Sequence, residues 1–398
     1  MKAFQLIRHL VDRGVDVVAI THERNRAELE DSFPAESLVF VSDGLLQRLA
    51  WTSRVFRFAV TPLFHLAVLR ILRRFDPRTT TLHFVTPISP VQPRFYPKEF
   101  RTVIGPLNGN IYAPPGFEHR LSRLRRLVPA LHLAGQRLMG LIVPDKARAT
   151  QVLNSGGART KTSLVAARVD PARIVDVADS GVGDSFSGAP PLRHAGRNTE
   201  FVCVARLMKW KGVDLALRAL SRMPADYRLT IVGDGPERAA LWELTAALGI
   251  MDRVRFTGYL PQIEVTGILK QKRALLFPSV AEANGIAIQE AMVMGLPVVA
   301  LDWGGPADLL ADGAGILIEP QSEDHVVDRL AAAMERLAED GAVADAIAGR
   351  ARQKAMDQYG WDTVAASWGG LYSDAFEEAP ARSAGTPRLG PALDAGAA

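Results

Sequence analysis

A chain of 398 residues with 48% apolar and 23% charged residues has an ordinary globular composition and is long enough for two domains. One cysteine, Cys203, excludes a disulfide framework and a cysteine-based zinc site, and its run FVCVA predicts a buried thiol in a reducing cytosol. The net charge of +4 is uneven: residues 1–178 hold 26 Lys+Arg against 14 Asp+Glu, and the remainder holds 21 against 29.

No apolar stretch approaches the ~18 uncharged residues of a membrane span. The charged start, MKAFQLIRHLVDRG, is not a signal peptide. Two basic amphipathic stretches in the first half, around residues 48–75 and 119–140, read either as contact with an anionic membrane or as solvated helix faces. Nucleic acid is a weaker reading, because no recognition motif accompanies the charge.

In chain order, Ala3 to Arg13 predicts a helix stopped by Gly14, and VDVVAI (15–20) predicts a strand. A doubly wound domain usually opens on a strand that becomes central in its sheet, so this pattern starts one element late. The expectation is a start lying upstream or a damaged copy. SLVFVSD, TLHFVTP (81–87) and RTVIGPLNG (101–109) predict strands ending in polar loops, followed by a helix over 119–140, then LIVPD and IVDVADSGVGDSF. Residues 185–200, SFSGAPPLRHAGRNTE, read as a linker between a first domain (1–184) and a second (201–358). Asp184 at this junction is a hinge residue or a helix cap. The second half alternates strands (201–207, 228–234, 254–260, 274–280, 297–302, 315–320) with helices, which predicts a parallel sheet covered on both faces. Helices over 323–339 and 342–357 follow. A segment at 359–376 is expected to pack back across the domain interface, and 377–398 reads as a disordered tail.

The chemistry concentrates in three places. VARLMKWKG brings Arg206 and Lys211 to a strand-to-helix junction, where two cations suit a diphosphate. IVGDGPER makes a tight turn at Gly233 and Gly235 that permits close backbone approach. FPSVAEANGIAIQEAMVMGLPVVALDWGG reads as strand, loop, helix, strand and loop, with Glu282 and Glu290 separated by seven residues. A carboxylate beside a helix N-terminus at the end of a parallel strand marks a ligand site.

These blocks, with FTGYL and GGPADLL, stand in the order and spacing of family 4 glycosyltransferases, which the chain resembles from about 199 to 375 and more loosely before that. VIGPLNGNIYAPPGF is similar to a GPLxGG-type signature in bacterial members linked to surface polysaccharide assembly. The resemblance implies a GT-B fold: two Rossmann-like α/β domains facing a cleft, with a C-terminal helix crossing back to the first. It also implies retaining transfer of a sugar from a nucleotide-diphosphate sugar to a saccharide or lipid-linked acceptor, in surface or exopolysaccharide synthesis. Arg206 and Lys211 match the diphosphate-binding pair, Glu282 the donor-sugar contact and Glu290 the ribose contact. Asn284, Gly285, Ile286 and Ala287 match the loop facing sugar and phosphates, and Gly258 lies near the base.

Two features of the family, a Gly-rich loop after the first strand and a His after a middle strand, do not match. Asn108 and Gly109 occupy the latter place and, with His119, are the acceptor-side candidates, while His83 reads as core. No metal and no cofactor beyond the donor are expected. The expected partners are the nucleotide sugar, the acceptor and an anionic membrane face, with a cytoplasmic location. The alternatives are a non-catalytic or truncated nucleotide-sugar-binding remnant and a nucleotide-sugar epimerase. A glycosidase pair is disfavoured, since both carboxylates come from one short segment.

Overall fold

The computed structural model describes residues 2–52, 59–109, 112–121, 123–183, 186 and 190–373, without the side chains of 2, 45, 46, 123–132 and 369–373. Asp184, most of the first half of the expected linker and the expected tail lie outside the described residues.

The second domain carries one six-stranded, wholly parallel sheet. Its strands are β7 (Glu200–Val204), β8 (Arg228–Val232), β9 (Val254–Gly258), β10 (Ala274–Phe277), β11 (Val298–Leu301) and β12 (Ile316–Ile318). The order across the sheet is β12-β11-β10-β7-β8-β9. It therefore runs outward in both directions from the β7/β10 pair. That pair is the topological switch point, where loops diverge and leave a crevice at the carboxyl ends. The strands read as near-continuous apolar runs because helices cover both faces. Cys203, Leu276 and Val299 bury on one side, and Val202, Leu275 and Val298 on the other. Burial drives the Cys203 thiol up to about 12, as expected of a core residue.

The first domain is divided. The short strands β1 (Ala19–His22) and β2 (Leu38–Val41) pair only with each other. The strands β3 (Thr81–Phe84), β4 (Arg101–Leu107), β5 (Gln151–Asn154) and β6 (Ile174–Asp176) form a separate four-stranded parallel sheet in that order. One helix spans both sheets. Val68 and Leu72 of the helix Val60–Leu72 pack in one cluster with Val41, Ile20 and Leu82. On the opposite face, Leu6 and Leu10 of the helix Lys2–Asp12 share a cluster with Val15, Val17, Val85 and Val103. No ladder joins β1 to β3 among the described residues, and every residue of both is only half-buried. The strand expected at 15–20 accordingly starts later, at Ala19. Val15 instead bonds the carbonyl of Leu10 as a helix-end turn, and by the β1/β2 register the residues opposite 16–18 form the 3-10 turn Ala35–Ser37 rather than a strand.

After the helix expected over 119–140, LIVPD is not a separate element: Leu141 and Ile142 end the helix Arg123–Ile142, and a short helix Asp145–Arg148 follows. The strand in that region is QVLN, β5, whose polar ends hide it from an apolar-run reading. From Leu192 onward the linker lies on the second domain. The Leu192 amide bonds the Met294 carbonyl (3.0 Å), and the His194 ring bonds that of Gly295 (2.8 Å).

The C-terminal helix Trp361–Ser373 does cross back. Val364, Ala365 and the fully buried Trp368 pack against Leu6, Leu10, Val103 and Leu153, and the Trp368 Nε1 donates to the Ala178 carbonyl at 3.0 Å. The returning chain runs beside the outgoing one, with the Val182 amide on the Tyr359 carbonyl at 2.7 Å. The domains are thus joined by two adjacent strands of chain.

Candidate active site at the switch point

β7 and β10 deliver the principal groups. After β7 the chain turns through Arg206 into a 3-10 turn, Lys209–Lys211, then Gly212, then the helix Val213–Ser221. Gly212 has φ 67°, and a Cβ there would lie 2.1 Å from the Pro278 carbonyl oxygen, so only glycine permits this approach. The Val280 amide adds a bond to the Trp210 carbonyl (2.9 Å). The turn after β7 is therefore knitted to the loop after β10. This brings the Lys211 ammonium onto the Glu282 carboxylate as an ion pair, with Lys211 also 5.4 Å from the centre of the Phe277 ring.

The GDG turn after β8 lies at the same end of the sheet. Gly233 has φ 129°, and a Cβ would lie 2.0 Å from the Ala205 carbonyl. The Gly233 amide bonds the Gly258 carbonyl (2.9 Å), and the Leu207 amide bonds that of Asp234 (2.9 Å). Exposed Arg206 lies between these bonded positions, so Arg206, Gly233, Gly235 and Gly258 meet at one end of the sheet.

The helix Ile286–Met294 starts beside Glu282 and stops at Gly295 in the left-handed conformation. Asn284 Oδ1 accepts from the Gly285 amide (2.9 Å) and from Gln289 Nε2 (3.3 Å). Its Nδ2 donates to Ser180 Oγ (3.1 Å), on the chain leaving the first domain. Ile286 is exposed and Ala287 half-buried at the first turn, where amides lack intrahelical partners. One turn further, Glu290 accepts from Gln262 Nε2 at 2.8 Å. Burial pushes both carboxyls above their ordinary range. Lys211 opposes the shift at Glu282, and the Gln262 bond opposes it at Glu290.

On the facing side, Asn108 and Gly109 follow β4. Asn108 Nδ2 donates to Asp179 Oδ2 at 2.6 Å, and Thr160 Oγ1 bonds the Gly109 carbonyl at 2.9 Å. Asp179 and Ser180 are buried neighbours. The network Asn108–Asp179 and Ser180–Asn284 thus runs from the first domain to the donor-side loop. Sequence reasoning missed both residues, since DS after an apolar run carries no motif. His83 bonds the Gly105 carbonyl (2.7 Å), and burial drives its pKa down to about 4. His119 does not stand with Asn108. Its Nε2 lies 2.9 Å from Glu323 Oε1 of the second domain.

Residues 189–354 match the family model of Glycosyl transferases group 1. The match takes in all six strands of the second sheet and less than half of the chain. The 2-deoxystreptamine glucosyltransferase of Streptomyces kanamyceticus is 30% identical over 211 residues, covering 52% of this chain and 52% of that protein. The lipopolysaccharide core biosynthesis glycosyltransferase LpsD of Rhizobium meliloti is 36% identical over 160 residues, covering 39% and 45%. The chain spans about half the length of the curated relatives it matches. The crystal structure of Anabaena HepE in complex with UDP superposes with a TM-score of 0.63 at 17% identity, covering 93% of this chain and 96% of that one. The architecture is GT-B, and the matched residues 189–354 hold the sheet of its second domain.

Proposed function

We propose that this chain is a retaining, family-4-like glycosyltransferase that moves a sugar from a nucleotide-diphosphate sugar to a saccharide or lipid-linked acceptor. The observation that carries this reading is the Lys211–Glu282 pair at the β7/β10 switch point, beside Arg206 and the start of the helix Ile286–Met294. Departure of a nucleoside diphosphate develops negative charge on phosphate oxygens. Fixed cations and helix-terminal amides stabilise that charge without reorganising. Arg206 and Lys211 take the diphosphate, Glu282 the sugar hydroxyls and Glu290 the ribose. Asn284 to Ala287, with Gly233, Gly235 and Gly258, let the donor approach the backbone. Asn108 and Gly109 face the acceptor. This chemistry draws on no metal or cofactor.

That HepE was crystallised with UDP supports a uridine donor as the first to test. The name of the Rhizobium meliloti relative supports a role in surface polysaccharide synthesis. Among the described residues no helix is long and apolar enough to cross a membrane. The helix Arg123–Ile142 holds four arginines and no acid, and Leu138, Leu141 and Ile142 are 58%, 62% and 65% exposed. These features support a cytoplasmic enzyme resting on an anionic inner membrane face.

The test is release of nucleoside diphosphate from UDP-, GDP- and ADP-sugars with and without lipid-linked acceptors. Product anomeric configuration decides the retaining assignment. A second reading, a nucleotide-sugar-binding protein without turnover, is favoured by the divided first-domain sheet. It predicts tight diphosphate binding with no transfer to any acceptor.

A further inference from the structure

The segment Tyr112–Leu121 belongs to the first domain by sequence position, directly after the Asn108–Gly109 loop, yet it docks into the second. Ala113, Phe117 and Leu121 are buried in the second domain's core cluster with Leu207, Val213 and Val280, and Phe117 is wholly enclosed. Trp303 Nε1 donates to the Tyr112 carbonyl at 2.8 Å. At the far end Arg120, its side chain 2% exposed, makes a bidentate pair with Asp214: Nη1 to Oδ1 at 2.8 Å and Nη2 to Oδ2 at 2.7 Å. Its Nε also donates to Glu323 Oε1 at 2.7 Å, and its Nη1 reaches the Lys209 carbonyl at 3.4 Å.

Two of these partners, Lys209 and Asp214, flank Lys211. Lys209 opens the turn that carries Lys211, and Asp214 lies in the first turn of the helix that this turn starts. Arg120 therefore holds the Lys211 turn from both ends. It also neutralises a carboxylate three residues beyond Lys211, which would otherwise compete for the ammonium and repel an incoming diphosphate. We propose that Arg120, carried across by the strap Tyr112–Leu121, is a positioning residue for the phosphate-binding turn Lys209–Gly212. The inference rests on the assignment of Lys211 to the donor diphosphate. It makes the geometry of the donor site depend on a segment of the acceptor-side domain. A planar guanidinium suits this place better than an ammonium, because its fork engages both Asp214 oxygens while Nε reaches Glu323.

A double-mutant cycle tests it. UDP, GDP and ADP, and the matching nucleosides, are titrated calorimetrically against the full chain, Arg120→Met, Lys211→Ala and the double variant. Arg120→Met is expected to weaken diphosphate binding about tenfold where Lys211 is present, and less than about twofold where it is absent, with nucleoside binding unchanged. Equal losses in the two backgrounds, or no loss in either, overturn the inference and leave the strap as a packing element. If Lys211→Ala alone leaves diphosphate binding intact, the donor-site reading fails instead. Where Arg120→Met does not fold, Arg120→Lys reads the same cycle. It is expected to lose about threefold with Lys211 present and nothing without it, and an unchanged affinity in both backgrounds again overturns the proposal.

Discussion

Lys211 and Glu282, 71 residues apart in the chain, are bound to each other as an ion pair. Each is about one-fifth exposed, so their pairing satisfies two charges that would be costly to bury alone. A donor that places phosphate on one and sugar on the other must exchange this pair for two new contacts. On the proposed function, this exchange separates binding from turnover. Glu282→Ala frees the ammonium, so nucleoside diphosphate affinity is expected to hold or rise. Transfer is expected to fall by roughly 10²–10³-fold, as for loss of one preorganised contact to the reacting group. Calorimetry and a transfer assay on the same preparation check this, and normal turnover in the variant would sink the assignment.

Arg206 differs from Lys211 in being exposed, which suits a clamp that engages only when phosphate arrives. Arg206→Ala is expected to weaken the nucleoside diphosphate about tenfold and leave the nucleoside unchanged. Equal losses on both ligands would place Arg206 away from the diphosphate.

Glu290 has a consequence for stability. Burial raises its folded-state pKa above the ordinary value near 4.5, with the Gln262 bond opposing. Folding then favours the protonated form. The contribution is full below the unfolded value and is lost as pH rises through the folded one. Glu290→Gln keeps an acceptor for Gln262 and never ionises. Its melting temperature is expected to match the parent at pH 3.5 and exceed it at pH 8 by about 2 °C, while donor binding weakens. A melting temperature unaltered at both pH values would contradict the burial argument.

The returning helix is a stability element of the first domain. Trp368 is fully buried and tied to the Ala178 carbonyl. Trp368→Ala is expected to cost ~3–5 kcal/mol. The loss should appear as an earlier first-domain transition in a denaturant melt, and a single unshifted transition would show that the helix adds nothing there.

The unladdered edges of β1 and β3 give a prediction for hydrogen exchange. Amides in Ala19–His22 and Thr81–Phe84 that do not face β2 or β4 are expected to exchange at least ~100-fold faster than those of β7 and β10. Uniform protection across β1 and β3 would mean that the two sheets are closed in solution by pairing of another kind.

Much of this was legible in the chain itself. Parallel strands buried on both faces must be apolar throughout, so β7, β8, β10 and β11 stand out as runs. Gly212 and Gly233 mark places where only glycine fits, and Gly295 marks a left-handed helix end. Glu282, Arg206 and Lys211 lie at strand-to-helix junctions that periodicity reveals, and Glu290 lies one turn into the helix that follows. Local pattern therefore determined the second domain and its charged groups. It could not show β5, whose polar ends break the apolar run, nor that the strand expected at 15–20 would start only where β2 begins opposite it. Above all, it could not show which distant residues meet. The pairing of Lys211 with Glu282, of Asn108 with Asp179 and of Arg120 with Asp214 depends on strand order and on the crossing of chain between domains. Those follow from packing many apolar faces at once, and no single segment contains that information.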